Sequence, residues 1–122
     1  MKIHESAENY LETILMLWQK KGSVRSIDIA NELEFSKPSV SVAMKNLRLN
    51  GYIEMDTSGE IRLLPPGMEI AQKVLEKHTL ITKFLVALGV DPETAAEDAC
   101  RMEHVISNES FEAIKNHAQK YI

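Results

Sequence analysis

Ser36-Lys37-Pro38 and Asp91-Pro92 each set a capping side chain just ahead of a proline, and glycines at 22, 51 and 89 halt the apolar periodicity upstream of them. A proline in the first helical turn loses nothing, because the amides there have no partner within the helix. Deeper in, it costs about 3 kcal/mol. The chain is therefore cut into short helices whose starts and stops are written locally. Ser6 to Lys21 carries Ala7, Tyr10, Leu11, Ile14, Leu15, Leu17 and Trp18 at helical spacing, a broad apolar face. Ser26 is expected to cap a short helix, IDIANELEF, with Ile27, Ala30 and Leu33 inward. A break at Phe35 and Ser36 leads to a third helix, capped by Ser36, with Val40, Ala43, Met44 and Leu47 as its buried stripe.

From Tyr52 the period changes. YIEM and IRLL are short β-compatible runs around the turn-rich DTSGE and read as a two-stranded wing. Pro65-Pro66-Gly67 is expected to break the chain and launch a long helix from Met68 to about Leu88. Asp91-Pro92 then opens a helix through Val105, and Ser107 or Asn108 caps a last one. The fold class is mainly α. A winged helix-turn-helix over residues 1–64 is followed by a helical unit over 65–122.

The chain has 122 residues, enough for one ordinary domain or two small lobes, and is 44% hydrophobic and 26% charged. No apolar run approaches the roughly 18 residues that would span a bilayer. The start MKIHESAENY is polar and acidic and does not read as a signal peptide. A single cysteine fits a reducing compartment, so residence in the cytoplasm is expected. The net charge of −4 sits uneasily with nucleic acid, yet Lys37, Lys45 and Arg48 occupy a stretch from 36 to 50 that holds no acidic residue. Ser36, Lys37, Pro38, Ser39, Ser41, Lys45 and Arg48 are the candidate DNA contacts, since hydroxyls and cations near the start of a recognition helix reach base edges and phosphates.

Cys100, Glu103 and His104 stand at i, i+3 and i+4, which puts a thiol, a carboxylate and an imidazole on one helical face. Such a mixed donor set suits Fe(II), Co(II), Ni(II) or Zn(II), whereas Mn(II) prefers harder oxygen ligands. His78 on the long helix, and Asn9 with Glu12 at i, i+3 on the first, supply further candidate ligands. His4 and His117 read as surface residues. Glu97 and Asp98 adjoin the cluster, but nothing resembles a substrate pocket or a phosphate loop, so an enzyme with a small-molecule substrate is not expected.

SAENYLETILML, VRSIDIANELEFSKPSVSVAMKNL, EKHTLITKFL and VDPETAAEDACRMEHVIS together make the chain resemble the diphtheria-toxin-repressor and manganese-transport-regulator family along essentially its whole length. The resemblance implies a homodimer that binds palindromic operator DNA when metal is bound and represses metal-uptake genes. It implies iron-type primary ligands at Cys100, Glu103 and His104, with Asn9 where that site draws on the first helix. His78 matches a ligand of both branches, and Glu12 a carboxylate of the manganese branch. Fe(II) is the first choice of metal and Mn(II) the second, with Co(II), Ni(II) or Zn(II) as substitutes. Dimerisation is expected through Leu85, Leu88, Val105, Ile106, Phe111 and Ile114, which could equally be intramolecular core.

The chain also departs from that family. Asn9 is neither the methionine of the iron type nor the aspartate of the manganese type. Thr82 and Ala96 replace a glutamate and a histidine of the iron type's ancillary site, and Cys100 replaces the manganese branch's bridging glutamate. A short form without the SH3-like extension of longer members is expected. The competing reading is a metal-independent winged-helix DNA-binding protein with a structural metal site.

Overall fold

The computed structural model describes residues 5–121, with side chains from 6 to 120, so His4 lies outside the described residues. Six helices and one hairpin follow in the order α1 (Glu5–Lys21), α2 (Ser26–Leu33), α3 (Lys37–Leu49), β1 (Ile53–Met55), β2 (Ile61–Leu63), α4 (Pro65–Ala87), α5 (Pro92–Val105) and α6 (Asn108–Tyr121). The chain divides into two compact units, residues 1–72 and 73–122, with the boundary inside α4. None of the described helices is long and apolar enough to cross a membrane.

In the first unit the core is built from Leu11, Ile14 and Leu15 of α1, Ile29 and Ala30 of α2, Val40, Met44 and Leu47 of α3, and Ile53 and Ile61 of the hairpin. Of the expected stripe of α3, Val40, Met44 and Leu47 are buried and Ala43 is intermediate. Trp18, expected on the apolar face of α1, is half exposed, and Ile27 points outward at 40% exposure. On a helix Ile27 stands about 160° from Ile29 and about 60° from Ala30, which sets it at the margin of the buried face.

The start of α2 also differs from expectation. Arg25, not Ser26, is the N-cap residue, because Asp28 in the first turn reaches back to accept the Arg25 backbone N–H at 2.9 Å. The same carboxylate accepts a hydrogen bond from Lys21 Nζ at 2.9 Å. That bond lowers the Asp28 pKa; partial burial opposes it and the Arg25 amide reinforces it. Helix α3 begins as expected, with Ser36 Oγ accepting the Ser39 amide and Pro38 in the first turn.

The strands pair antiparallel with Ile53 opposite Leu63 and Met55 opposite Ile61. Between them Asp56 Oδ1 collects the Ser58 hydroxyl at 2.7 Å and the amides of Ser58 and Glu60 at 2.9 Å each, which closes the turn. Two further bonds tie the wing to the loop before α2. The Ile61 N–H donates to the Val24 carbonyl at 2.7 Å, and the Arg25 guanidinium donates to the Ser58 carbonyl. The wing is thus braced at its turn end.

Helix α4 starts at Pro65, three residues earlier than the expected Met68, so Pro65-Pro66-Gly67 is its first turn and not a break. Prolines are suited to that place because they donate nothing there. The Leu64 amide bonds the Tyr52 carbonyl at 3.0 Å, which brings this turn against the chain entering β1. Gly67 is required by the contact: a Cβ there would overlap the Tyr52 carbonyl oxygen.

In the second unit Val74 and Ile81 of α4, Ala95 and Ala99 of α5, and Phe111 and Ala118 of α6 are buried. Helices α4 and α6 are joined by Lys77 over the Phe111 ring, by Phe84 edge-on to His117, and by Lys115 bonded to Glu76 at 2.7 Å. Helix α5 is capped by Asp91 on the Thr94 amide with Pro92 next, and the Ser107 hydroxyl caps α6 by accepting the Ser110 amide.

Two outcomes test this packing. Gly67→Ala should lower stability by about 1–3 kcal/mol, since backbone must move to admit the methyl; urea unfolding should show an earlier midpoint at unchanged slope. Asp28 has a folded pKa below its unfolded value, so its contribution is full above about pH 4 and is lost as pH falls through the folded value. Asp28→Asn should therefore flatten the loss of melting temperature between about pH 4 and pH 2.

Candidate metal centre

Helix α5 buries Ala95, Ala99 and Glu103, three residues spaced at i, i+4 and i+8 on one line. The two alanines keep that line narrow, so the helix seats closely and carries Glu103 inward. The carboxylate ends up 1% exposed. An isolated carboxylate at such a site forfeits hydration worth several kcal/mol and must be met by donors or positive charge. Neither of its oxygens accepts a hydrogen bond among the described residues. Instead, Oε2 lies 3.0 Å from Nδ1 of His78 on α4, and Oε1 lies 3.3 Å from Nε2 of the adjacent His104.

Cys100, one turn earlier, completes the group. A sulfur, a carboxylate oxygen and an imidazole nitrogen from Cys100, Glu103 and His104 lie within 4.8 Å of one another. Burial grades across the three: Glu103 is buried, His104 intermediate and Cys100 exposed. Donors held about 2.0–2.3 Å from a shared tetrahedral ion would be roughly 3.4 Å apart, so the cluster needs only small side-chain adjustment to close on a divalent cation. The sulfur, nitrogen and oxygen set fits a borderline transition metal, and the buried carboxylate would supply the compensating negative charge. The residues fit the ion.

The other expected ligands fall out as follows. His78 is brought to Glu103, as described, from 25 positions away in the chain. Glu12 is buried on α1 in the first unit, and Asn9 is half buried there with its carbonyl accepting the Thr13 hydroxyl at 2.8 Å. Thr82 spends its hydroxyl on the His78 carbonyl at 2.7 Å, within its own helix. Of the residues expected at a dimer interface, Leu88 and Val105 are 67% and 75% exposed, Leu85, Ile106 and Ile114 are intermediate, and Phe111 is buried under Lys77.

On the first unit, Ser36, Lys37, Pro38, Ser39, Ser41, Lys45 and Arg48 are all exposed. The Ser36 hydroxyl also donates to Ser39 Oγ at 2.8 Å, which orders the start of α3. Sequence reasoning passed over Val42, Asn46 and Leu49 on this surface. The spacing from Val40, Met44 and Leu47 could have placed them outside, but two of the three are apolar and were not read as surface residues.

Comparison with known proteins matches two family domains along the chain. The DNA-binding N-terminal domain of iron-dependent repressors matches residues 2–59, and their metal-binding and dimerisation domain matches 65–121. The transcriptional regulator MntR of Escherichia coli is 37% identical over 117 residues, 96% of this chain and 76% of its own. An HTH-type transcriptional regulator of Methanocaldococcus jannaschii is 35% identical over 119 residues, 96% of this chain and 95% of its own. Among solved structures, the manganese regulator SloR superposes with a TM-score of 0.81 at 27% identity, covering 98% of this chain and 55% of that one. IdeR of T. acidophilum gives 0.79 at 27% identity, covering 96% and 55%. The chain thus spans little more than half the length of those two structures.

Titration with Co(II) should develop a thiolate-to-cobalt charge-transfer band in the near ultraviolet that Cys100→Ala lacks. Glu103→Gln should weaken binding by at least about 10–100-fold. Because thiolate and neutral imidazole are the ligating forms, affinity should fall as pH drops below about 6.

Proposed function

This chain belongs to the iron-dependent repressor family, and we propose that it is a divalent-metal-dependent, DNA-binding transcriptional repressor that controls genes of metal uptake. The observation that carries the reading is the Cys100, Glu103 and His104 cluster, held in the same chain as a winged helix-turn-helix with an exposed basic α3. Iron is the favoured metal, because a thiol in the donor set is softer than Mn(II) prefers. Manganese is the competing choice, since SloR is named a manganese regulator.

Each side chain has a part in the proposal. Glu103 is the central anionic donor, fixed by the Ala95–Ala99 line of α5. Cys100 and His104 are its partners on the same face, and His78 approaches its other oxygen. When bound, the ion supplies positive charge that offsets the buried carboxylate and the thiolate. Asn9 and Glu12 are proposed as further donors, each to be checked by the same cobalt titration with Asn9→Ala and Glu12→Gln.

The working form is a homodimer on a palindromic duplex, with residues 1–64 as the DNA-reading unit and 65–122 for metal binding and dimerisation. Exposed Leu88 and Val105 are the first candidates for the contact between copies. Two recognition helices can read matching half-sites only at a spacing of roughly 34–36 Å. Metal loading shifts the population toward dimers that meet this condition. By linkage, operator DNA tightens metal binding by the same factor that metal tightens DNA binding.

The test begins with a randomised double-stranded DNA pool selected by the full chain under anaerobic Fe(II), and separately under Mn(II). Selected duplexes should be retarded in a gel at least about 10-fold more tightly with metal than with a chelator, a coupling inside the usual allosteric range. Cys100→Ala should remain folded and lose this dependence. Equal retardation with and without metal would replace the switch by a purely structural site.

A further inference from the structure

Val42 is the one mid-helix apolar side chain of α3 that is fully on the exposed side, at 61% exposure. A single exposed valine is ordinary in itself. Its placement is what carries weight. At about 100° per residue, Val42 lies roughly 140–160° from Val40, Met44 and Leu47, the residues that bury the helix. Pro38, Ser39, Lys45, Asn46 and Leu49 fall within roughly 60° of it. Val42 therefore occupies the middle of the outward face, not its margin. Lys45 lies on this face, Lys37 and Arg48 flank it at roughly 120–140°, and no acidic residue occurs from 36 to 50, so the exposed side of the helix carries positive charge alone and suits a polyanion.

We propose that Val42 is a specificity-determining residue that reads thymine, its methyl groups packing on the C5-methyl of that base in the major groove. The inference rests on the DNA-binding reading above and goes beyond it by assigning a base to a residue. Of the four bases, thymine alone presents a methyl group in the major groove. Valine can neither donate nor accept a hydrogen bond, so at the centre of a reading face it selects by apolar contact and by leaving polar base edges unsatisfied. Its branched Cβ holds essentially one rotamer in a helix, and little side-chain freedom is lost on contact. Ser39 and Asn46, on either side, keep hydrogen-bonding groups for the flanking bases.

The experiment uses duplexes selected by the full chain with Mn(II) or Fe(II), in which each thymine is replaced by deoxyuridine, one symmetric pair at a time. That change removes only the C5-methyl group. The wild-type chain should lose about four-fold in affinity per half-site at one thymine position, the worth of one buried methyl. Val42→Ala should bind the thymine and uracil duplexes equally at that position and keep its other preferences. Val42→Thr, which holds the volume and one methyl group, should retain the fold and show a reduced penalty. A penalty unchanged in both variants, or no penalty at any thymine in the wild type, overturns the proposal. A wild-type chain that selects no duplex under either metal overturns the DNA-binding reading, and this assignment with it.

Discussion

The second unit is organised by the burial of one carboxylate. Glu103 is enclosed to 1% exposure with no hydrogen bond to either oxygen among the described residues, and hydrophobic packing alone cannot compensate a group of that kind. Two imidazole nitrogens at 3.0 and 3.3 Å and a thiol on the same face are what the fold gathers around it. A buried carboxylate flanked by two imidazoles and a thiol is a donor set suited to a divalent cation, whose charge would compensate the carboxylate.

The helix carrying these donors is held in register from its far end. Asp91 and Pro92 fix where α5 starts, and Ala95 and Ala99 fix which side faces inward. Once those are set, positions 100, 103 and 104 have no freedom of azimuth. In the first unit the same logic operates on α3. Ser36 fixes its start and Val40, Met44 and Leu47 fix its inner side, so that the outward residues are chosen by default. In both helices a local cap and a buried stripe orient the side chains that carry chemistry.

Legibility in the sequence followed the range of the interactions involved. The caps at Ser36 and Asp91, the stop at Gly22 and the hairpin around Gly59 were readable because each is settled within four or five residues. The start of α2 was misread although its bonds are short-range: Ser26 is the commoner capping type, but Asp28 binds the Arg25 amide and Lys21 together. The start of α4 was misread because a Pro-Pro-Gly run normally signals a break, and only its contact with Tyr52 shows why it opens a helix here. Ile27 and Trp18 show the weakness of apolar pattern as a guide to burial. It states that a side chain is greasy, not whether a neighbour covers it.

By itself, the sequence determined the order of the helices, the starts of α3 and α5, the wing, and the i, i+3, i+4 grouping of Cys100, Glu103 and His104, since all of these follow from backbone geometry over a turn or two. Tertiary structure alone decided that Glu103 is buried and Cys100 exposed, that His78 meets Glu103 at 3.0 Å, and that Val42 stands clear of the core. Those outcomes depend on which helix faces pack together. Such packing is a sum of many weak contacts between residues far apart in the chain, and no single residue encodes it.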